Sequence, residues 1–131
     1  MTYLLDTNVC IPLINRSEPT LRQRLLSHTP DEVVLCSVVK AELLFGARGS
    51  KRVAENLDRV ERFCSAFESL PFDVEAAAHY GSLRAHLTRE GRLIGANDLL
   101  IAATALARGV TLVTRNREEF ARVPSLTIEA W

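Results

Sequence analysis

No stretch of this chain approaches the roughly 18 consecutive apolar residues needed to cross a bilayer as a helix. No charged-then-apolar leader opens it. The expectation is a cytoplasmic protein without membrane association. Cysteine is scarce: Cys10, Cys36 and Cys64 are odd in number and form no C-x-x-C pair, which argues against a disulfide framework or a zinc site. Their apolar surroundings suggest buried free thiols in a reducing compartment. Excess charge of either sign is also missing, with 16 basic residues balancing 16 acidic ones. A protein recruited to nucleic acid by its overall field would show a basic surplus. Lysine is nearly absent, since only Lys40 and Lys51 accompany the arginines, and arginine is the better shaped for bidentate phosphate or carboxylate contacts. There is no internal repeat, low-complexity segment or linker, and 131 residues suit one hydrophobic core and no second.

What is present alternates between short apolar runs and helical stretches. Thr2-Tyr3-Leu4-Leu5 lacks polar alternation, as expected for a strand buried on both faces. Thr7 or Asn8 can cap a helix through Cys10-Ile11-Pro12-Leu13-Ile14, with Pro12 tolerated if it falls within about the first turn. Further helices are predicted at about residues 19–27, at 38–45 with Ser37 as cap and Gly46 and Gly49 as stops, and at about 51–68. Asp73 should cap a helix over residues 74–89. Another starts at Ala96-Asn97-Asp98 and runs almost wholly apolar from Leu99 to Ala107, so it belongs in the middle of the fold. Strands are expected at Val33–Cys36, Leu70–Phe72 (an edge strand, because of Pro71), Val110–Val113 and Leu126–Ile128. This alternation implies an α/β fold of three layers around a mostly parallel sheet of about five strands. Ligands of such sheets bind beyond the carboxyl ends of the strands.

Asp6 follows the first strand, Thr114-Arg115-Asn116 follows the fourth, and Glu42 lies in the helix after the second. Glu42 has Val38, Val39, Phe45 and Gly46 as its neighbours three and four positions away, an apolar face on which an unpaired carboxylate is expensive. Asp98 repeats the oddity at the mouth of an apolar helix. Each acid has an alternative: Asp6 and Asp98 as helix caps, Glu42 as partner of a buried arginine. Capping leaves Glu42 unexplained, whereas a cluster of carboxylates with no His or Cys suits a hard cation such as Mg²⁺ or Mn²⁺. Such a site suits phosphodiester hydrolysis.

Four segments carry a resemblance. Leu4-Leu5-Asp6-Thr7-Asn8, Val39-Lys40-Ala41-Glu42-Leu43-Leu44-Phe45-Gly46-Ala47, Asn97-Asp98-Leu99-Leu100-Ile101-Ala102-Ala103 and Val113-Thr114-Arg115-Asn116 with Phe120 resemble the four motifs of PIN-domain ribonucleases. In order and spacing they are similar to the VapC toxins of type II toxin–antitoxin systems, and the likeness extends to Val123-Pro124-Ser125-Leu126 and Trp131. The resemblance implies a single PIN domain over residues 1–131, with Asp6, Glu42 and Asp98 as the acids that bind Mg²⁺ or Mn²⁺. It implies an endoribonuclease that inhibits translation by cutting RNA, most of all tRNA and in particular the anticodon loop of initiator tRNA. A homodimer is implied, forming a heterotetramer or hetero-octamer with a VapB-type antitoxin that alone touches operator DNA. The antitoxin's tail is expected on the 51–68 helix, pushing an arginine toward the acids. Thr7 is implied beside the metal. Many relatives carry a fourth acid after the fourth strand; here Asn116 and Glu119 are the two candidates. His28, His79 and His86 show no metal spacing, and Lys40, Arg48, Lys51, Arg92, Arg115 and Arg117 are candidates for gripping phosphate.

Three other readings compete. An aspartate-based phosphatase needs a second Asp two positions after the first, where Asn8 stands. A receiver-type switch needs an acceptor Asp and a Lys in places where the chain offers neither. A non-catalytic PIN-like partner-binding protein would retain the fold without needing the acids.

Overall fold

A computed structural model describes all residues 1–131. In chain order the elements are β1 (Tyr3–Leu5), α1 (Thr7–Asn15), α2 (Pro19–Leu26), a 3-10 turn (Pro30–Glu32), β2 (Val33–Cys36), α3 (Ser37–Arg48) and α4 (Val53–Ser65). Then follow β3 (Glu68–Leu70), α5 (Val74–Arg89), α6 (Ala96–Arg108), β4 (Thr111–Val113), α7 (Arg117–Phe120) and β5 (Ile128–Glu129). The five strands form one sheet in the order β3-β2-β1-β4-β5, and every pairing is parallel. Helices cover both faces, giving the three-layer α/β/α architecture anticipated above.

The strand order is what builds the site. From β1 the chain steps outward to β2 and β3, then returns across the sheet to β4 on the other side of β1. The carboxyl ends of β1 and β4 therefore flank the point at which strand order reverses, where open α/β sheets bind their ligands. Register brings Leu5 beside Val113, so Asp6 and Thr114, one residue further along each strand, leave the sheet together.

The core explains why these runs are strands. Leu4, Leu5, Leu35, Leu112 and Val113 are almost fully buried, as residues enclosed on both faces must be. In α6, Ile101, Ala102, Ala103 and Ala105 have no exposure, and the alanines let the helix lie close to its neighbours. It packs mainly against α5, so its expected central place holds. All three cysteines are buried and unpaired.

Several expected boundaries move. Asp6, not Thr7 or Asn8, is the N-cap of α1, so the helix begins one or two residues earlier and Pro12 becomes its sixth residue, past the first turn. A proline there has no N–H to offer the carbonyl of Asn8, but Pro12 is buried on the core side, where packing outweighs the lost bond. Cys36 holds the cap position of α3 and the helix runs through Gly46 to end at Gly49, because a single glycine weakens a helix without stopping it. The edge strand is Glu68–Leu70 rather than Leu70–Phe72, with Pro71 just outside. The last strand is shifted to Ile128–Glu129. The short α7 was not foreseen; buried Phe120 anchors it.

Candidate active site

Asp6 sits at the switch point and is 4% exposed. Its backbone N–H donates to the Val113 carbonyl (2.9 Å), prolonging the β1–β4 ladder by one bond. Its Oδ1 accepts from the Thr7 N–H (2.8 Å) and its Oδ2 from the Thr114 hydroxyl (2.7 Å). Asp6 is thus both the cap of α1 and a carboxylate fixed between two strands. Burial pushes its carboxyl above the ordinary range, the bonds from Thr114 and Thr7 draw it back, and the charges of Glu42 and Glu119 push it up again.

Glu42 reaches the same place from α3. Its Oε1 accepts from the Thr7 hydroxyl (2.6 Å) and its Oε2 from the Asn97 amide (3.2 Å). No buried arginine pairs with it. The face expected to be apolar and enclosed is not: of its helical neighbours only Val39 is buried, while Gly46 is exposed and Phe45 is 81% exposed. The buried stripe of α3 is Val39, Leu43 and Ala47, and Glu42 lies beside that stripe. The apolar spacing therefore pointed to Glu42 through a burial that α3 does not have.

Asp98 is the third residue of α6, whose cap position is held by Gly95 without a side-chain bond. It is not the cap. Burial first, and then the charges of Asp6, Glu119 and Glu42, raise its carboxyl to about 7. Glu119 behaves oppositely. The Gly95 N–H (2.7 Å) and the Asn116 amide (2.7 Å) both donate to it and hold it below the usual carboxylate range. The two carboxyls face each other at Gly95, where an added Cβ would lie 3.5 Å from Asp98 Oδ2 and 3.6 Å from Glu119 Oε1, and their proximity raises Asp98 while it lowers Glu119.

Asn116 and Glu119 thus have different places. Glu119 reaches the other acids, whereas Asn116 orients it, its own N–H resting on the Thr114 hydroxyl (3.0 Å). Sequence reasoning missed the parts played by Thr114, Gly95 and Asn97. Their only signal was adjacency to Asn116 and Asp98, which does not say what a side chain touches.

The charges of Glu42 and Glu119 raise the carboxyls of Asp6 and Asp98, as crowded like charges do. All four are hard oxygen donors. That chemistry fits a divalent cation such as Mg²⁺ or Mn²⁺. No three of the acids already converge on one point as ligands, since Glu42 is turned toward Thr7 and Asn97. Thr7 spends its hydroxyl proton on Glu42.

Of the candidate phosphate-binding cations, two are already paired: Lys40 with Glu61 (3.4 Å), and Arg115 with both oxygens of Glu18 (2.7 and 2.5 Å). Arg48, Lys51, Arg92 and Arg117 are exposed and form no ion pair. His79 is exposed, and neither it nor His86 approaches the acids as a ligand. His28 is far from them too, stacked on Trp131 at 5.0 Å between ring centres.

A parallel sheet with four carboxylates gathered at its switch point defines a class, and the comparison with known proteins agrees. The chain belongs to the PIN domain family, whose model matches residues 3–126. Its relatives there are VapC ribonucleases. It is 39% identical over 132 residues to ribonuclease VapC2 of Rickettsia felis, spanning 100% of this chain and 98% of that protein. It is 39% identical over 131 residues to the tRNA(fMet)-specific endonuclease VapC of Salmonella typhimurium, again over 100% and 98% of the two chains. A chain in the solved structure of DNA-bound VapBC from Salmonella typhimurium superposes with a TM-score of 0.95 at 39% identity, covering 100% of this chain and 98% of that one.

Proposed function

We propose that this protein is a Mg²⁺- or Mn²⁺-dependent endoribonuclease, the toxin of a toxin–antitoxin pair, which stops translation by cutting tRNA, with the anticodon loop of initiator tRNA as its target. The observation that carries the chemistry is the gathering of Asp6, Glu42, Asp98 and Glu119 at the switch point, with the Asp98 carboxyl raised to about 7 by burial and then by the charges of its neighbours. The substrate rests on the tRNA(fMet) specificity for which the Salmonella relative is named.

Asp6, Asp98 and Glu42 would hold the ion, Asp6 already oriented by Thr114 and Thr7, and Glu42 by Thr7 and Asn97. When bound, the ion polarises the phosphoryl oxygens and lowers the pKa of the attacking water. Glu119, kept ionised by the Gly95 N–H and the Asn116 amide, would accept the proton of an attacking water at a carboxylate oxygen. Asn116 is a positioning residue, since it acts through Glu119. The free cations Arg48, Lys51, Arg92 and Arg117 would place the RNA backbone without reading its sequence.

The partner is a VapB-type antitoxin, by which the toxin, itself a homodimer, would be held in a heterotetramer or hetero-octamer and linked to operator DNA. Two observations support this: the structural neighbour is a DNA-bound VapBC complex, and a cavity of about 610 Å³ opens between α1, α2 and α4. Phe63 of α4 and Phe67 just after it, with Leu25 and Leu26 of α2, give it apolar walls, and Arg16, Arg22 and Arg62 stand around it. No helix is long and apolar enough to cross a membrane, in keeping with a place in the cytoplasm.

Titrating Mn²⁺ or Mg²⁺ into protein and initiator tRNA tests the reading. Cleavage should appear with the metal, vanish in Asp6→Asn and Asp98→Asn while circular dichroism shows the fold intact, and be weaker on elongator methionine tRNA. Undiminished activity in both variants would sink the proposal.

A further inference from the structure

A second, smaller cavity of about 250 Å³ lies between α1, α3 and α4 and borders the carboxylate cluster through one shared residue, Glu42. The first large cavity is too broad for a single small group, whereas this one falls below the roughly 300–1,000 Å³ typical of drug-sized ligands. Its walls are apolar, from Ile11 and Ile14 of α1, Leu43 of α3 and Val60 of α4.

The polar groups at its edge suit a base better than a phosphate. Arg59, its one cation, donates through Nη2 to the Ile14 carbonyl (2.8 Å). The side chain of Asn15 makes no hydrogen bond within the protein, and Asn56 donates to Ser50 (2.9 Å) with its amide oxygen left over. Carboxamides in such positions pair with the edges of nucleobases, and apolar walls accept their faces.

Gly46 supplies a further observation. It lines the cavity from inside α3, where a glycine weakens the helix, yet a Cβ built on it meets no atom within 4 Å. Nothing in the folded chain requires the missing side chain. The space is open toward the cavity and the solvent, as it would be if an external group approached the helix there.

We infer that this cavity receives one unpaired nucleobase of the RNA, beside the phosphodiester that the carboxylates cut. The inference rests on the ribonuclease reading above, and it makes Gly46 a specificity-determining residue. Because Glu42 is part of both the cavity and the acidic cluster, a base seated here lies within a nucleotide of the reacting phosphate.

The test combines variants of Gly46 with a scan of initiator tRNA in which single nucleotides around the cut are made abasic. Gly46→Ala and Gly46→Met narrow the cavity. Gly81→Ala, on α5 and equally free of contacts, is the control. For the wild type, one abasic position next to the cut should lower kcat/KM by roughly tenfold or more, the scale on which one methylene is discriminated in an apolar pocket. Gly46→Met should be slowed as much on intact RNA and should no longer respond to that abasic position, while Gly81→Ala behaves as wild type.

Equal kcat/KM for the Gly46 variants, at melting temperatures no lower than wild type, would overturn the inference. So would variants that cut RNA normally but bind the antitoxin more weakly, which would assign the cavity to the protein partner. A wild-type response to no abasic position overturns it without any variant. A wild-type protein that cuts no RNA at all fails the ribonuclease reading first, and this inference with it.

Discussion

The carboxyl of Asp98 stands at about 7 because burial and three neighbouring acids oppose its charge. A folded-state pKa above the unfolded value of 3.8 means that the native state holds the proton more tightly. The contribution of Asp98 to stability in metal-free buffer is therefore fully present below about 4 and is lost as the pH rises toward 7. Asp98→Asn removes that loss. Its melting temperature in the presence of a chelator should exceed that of the wild type, by a margin that widens between pH 4 and 7 and then levels off. A variant that melts lower across the range would show that Asp98 supports the fold rather than strains it. At this same scale the sequence was an uneven guide: Asp6 and Asp98 were found by their positions, whereas Glu42 was found by an apolar surrounding that proves half open. The helical spacing was right, but which side of α3 meets the core depends on α1 and α4, which spacing cannot tell.

Among the elements, α5 was read with its true ends because its cap is local. Asp73 accepts from the Ala76 N–H (3.0 Å) within the first turn, and it also binds Arg108 at the end of α6 (2.5 Å). The backbone bond first, and the Arg108 charge after it, hold this carboxyl below its ordinary range. Its contribution is then present above the ordinary value of 3.8 and disappears as pH falls through the lowered one. Asp73→Ala should lower the melting temperature at pH 7, and the gap to wild type should close in acid; a gap independent of pH would mean that packing, not the carboxylate, was lost. Elements with tertiary stops were harder to delimit. The α3 helix passes Gly46, and α7 exists because Phe120 is buried, not because its four residues favour a helix.

At the level of the whole molecule, Cys10, Cys36 and Cys64 come from α1, β2 and α4 into one core cluster. Burial pushes all three thiols up, Cys36 to about 11. The thiolate is the reactive form, so none should react with an aromatic disulfide reagent at pH 7.5 while the protein is native. All three should react together across the denaturant transition. Fast labelling of one thiol before unfolding would show that its element opens by itself.

The sequence by itself determined the alternation of buried strands and helices, the family motifs, and the positions of Asp6 and Asp98, because hydrophobic period and the residue after a strand are local properties of the chain. Tertiary structure decided which acids meet. Thr114 reaches Asp6 across 108 positions, Asn97 reaches Glu42 across 55, and Gly95 reaches Glu119 across 24. These contacts follow from a strand order that reverses at β1 and β4. The same reversal brings Arg115 to Glu18, and the packing of α3 on α4 brings Lys40 to Glu61, so neither cation stands free. Side chains from distant segments compete for the same partners, and only the folded arrangement settles the competition.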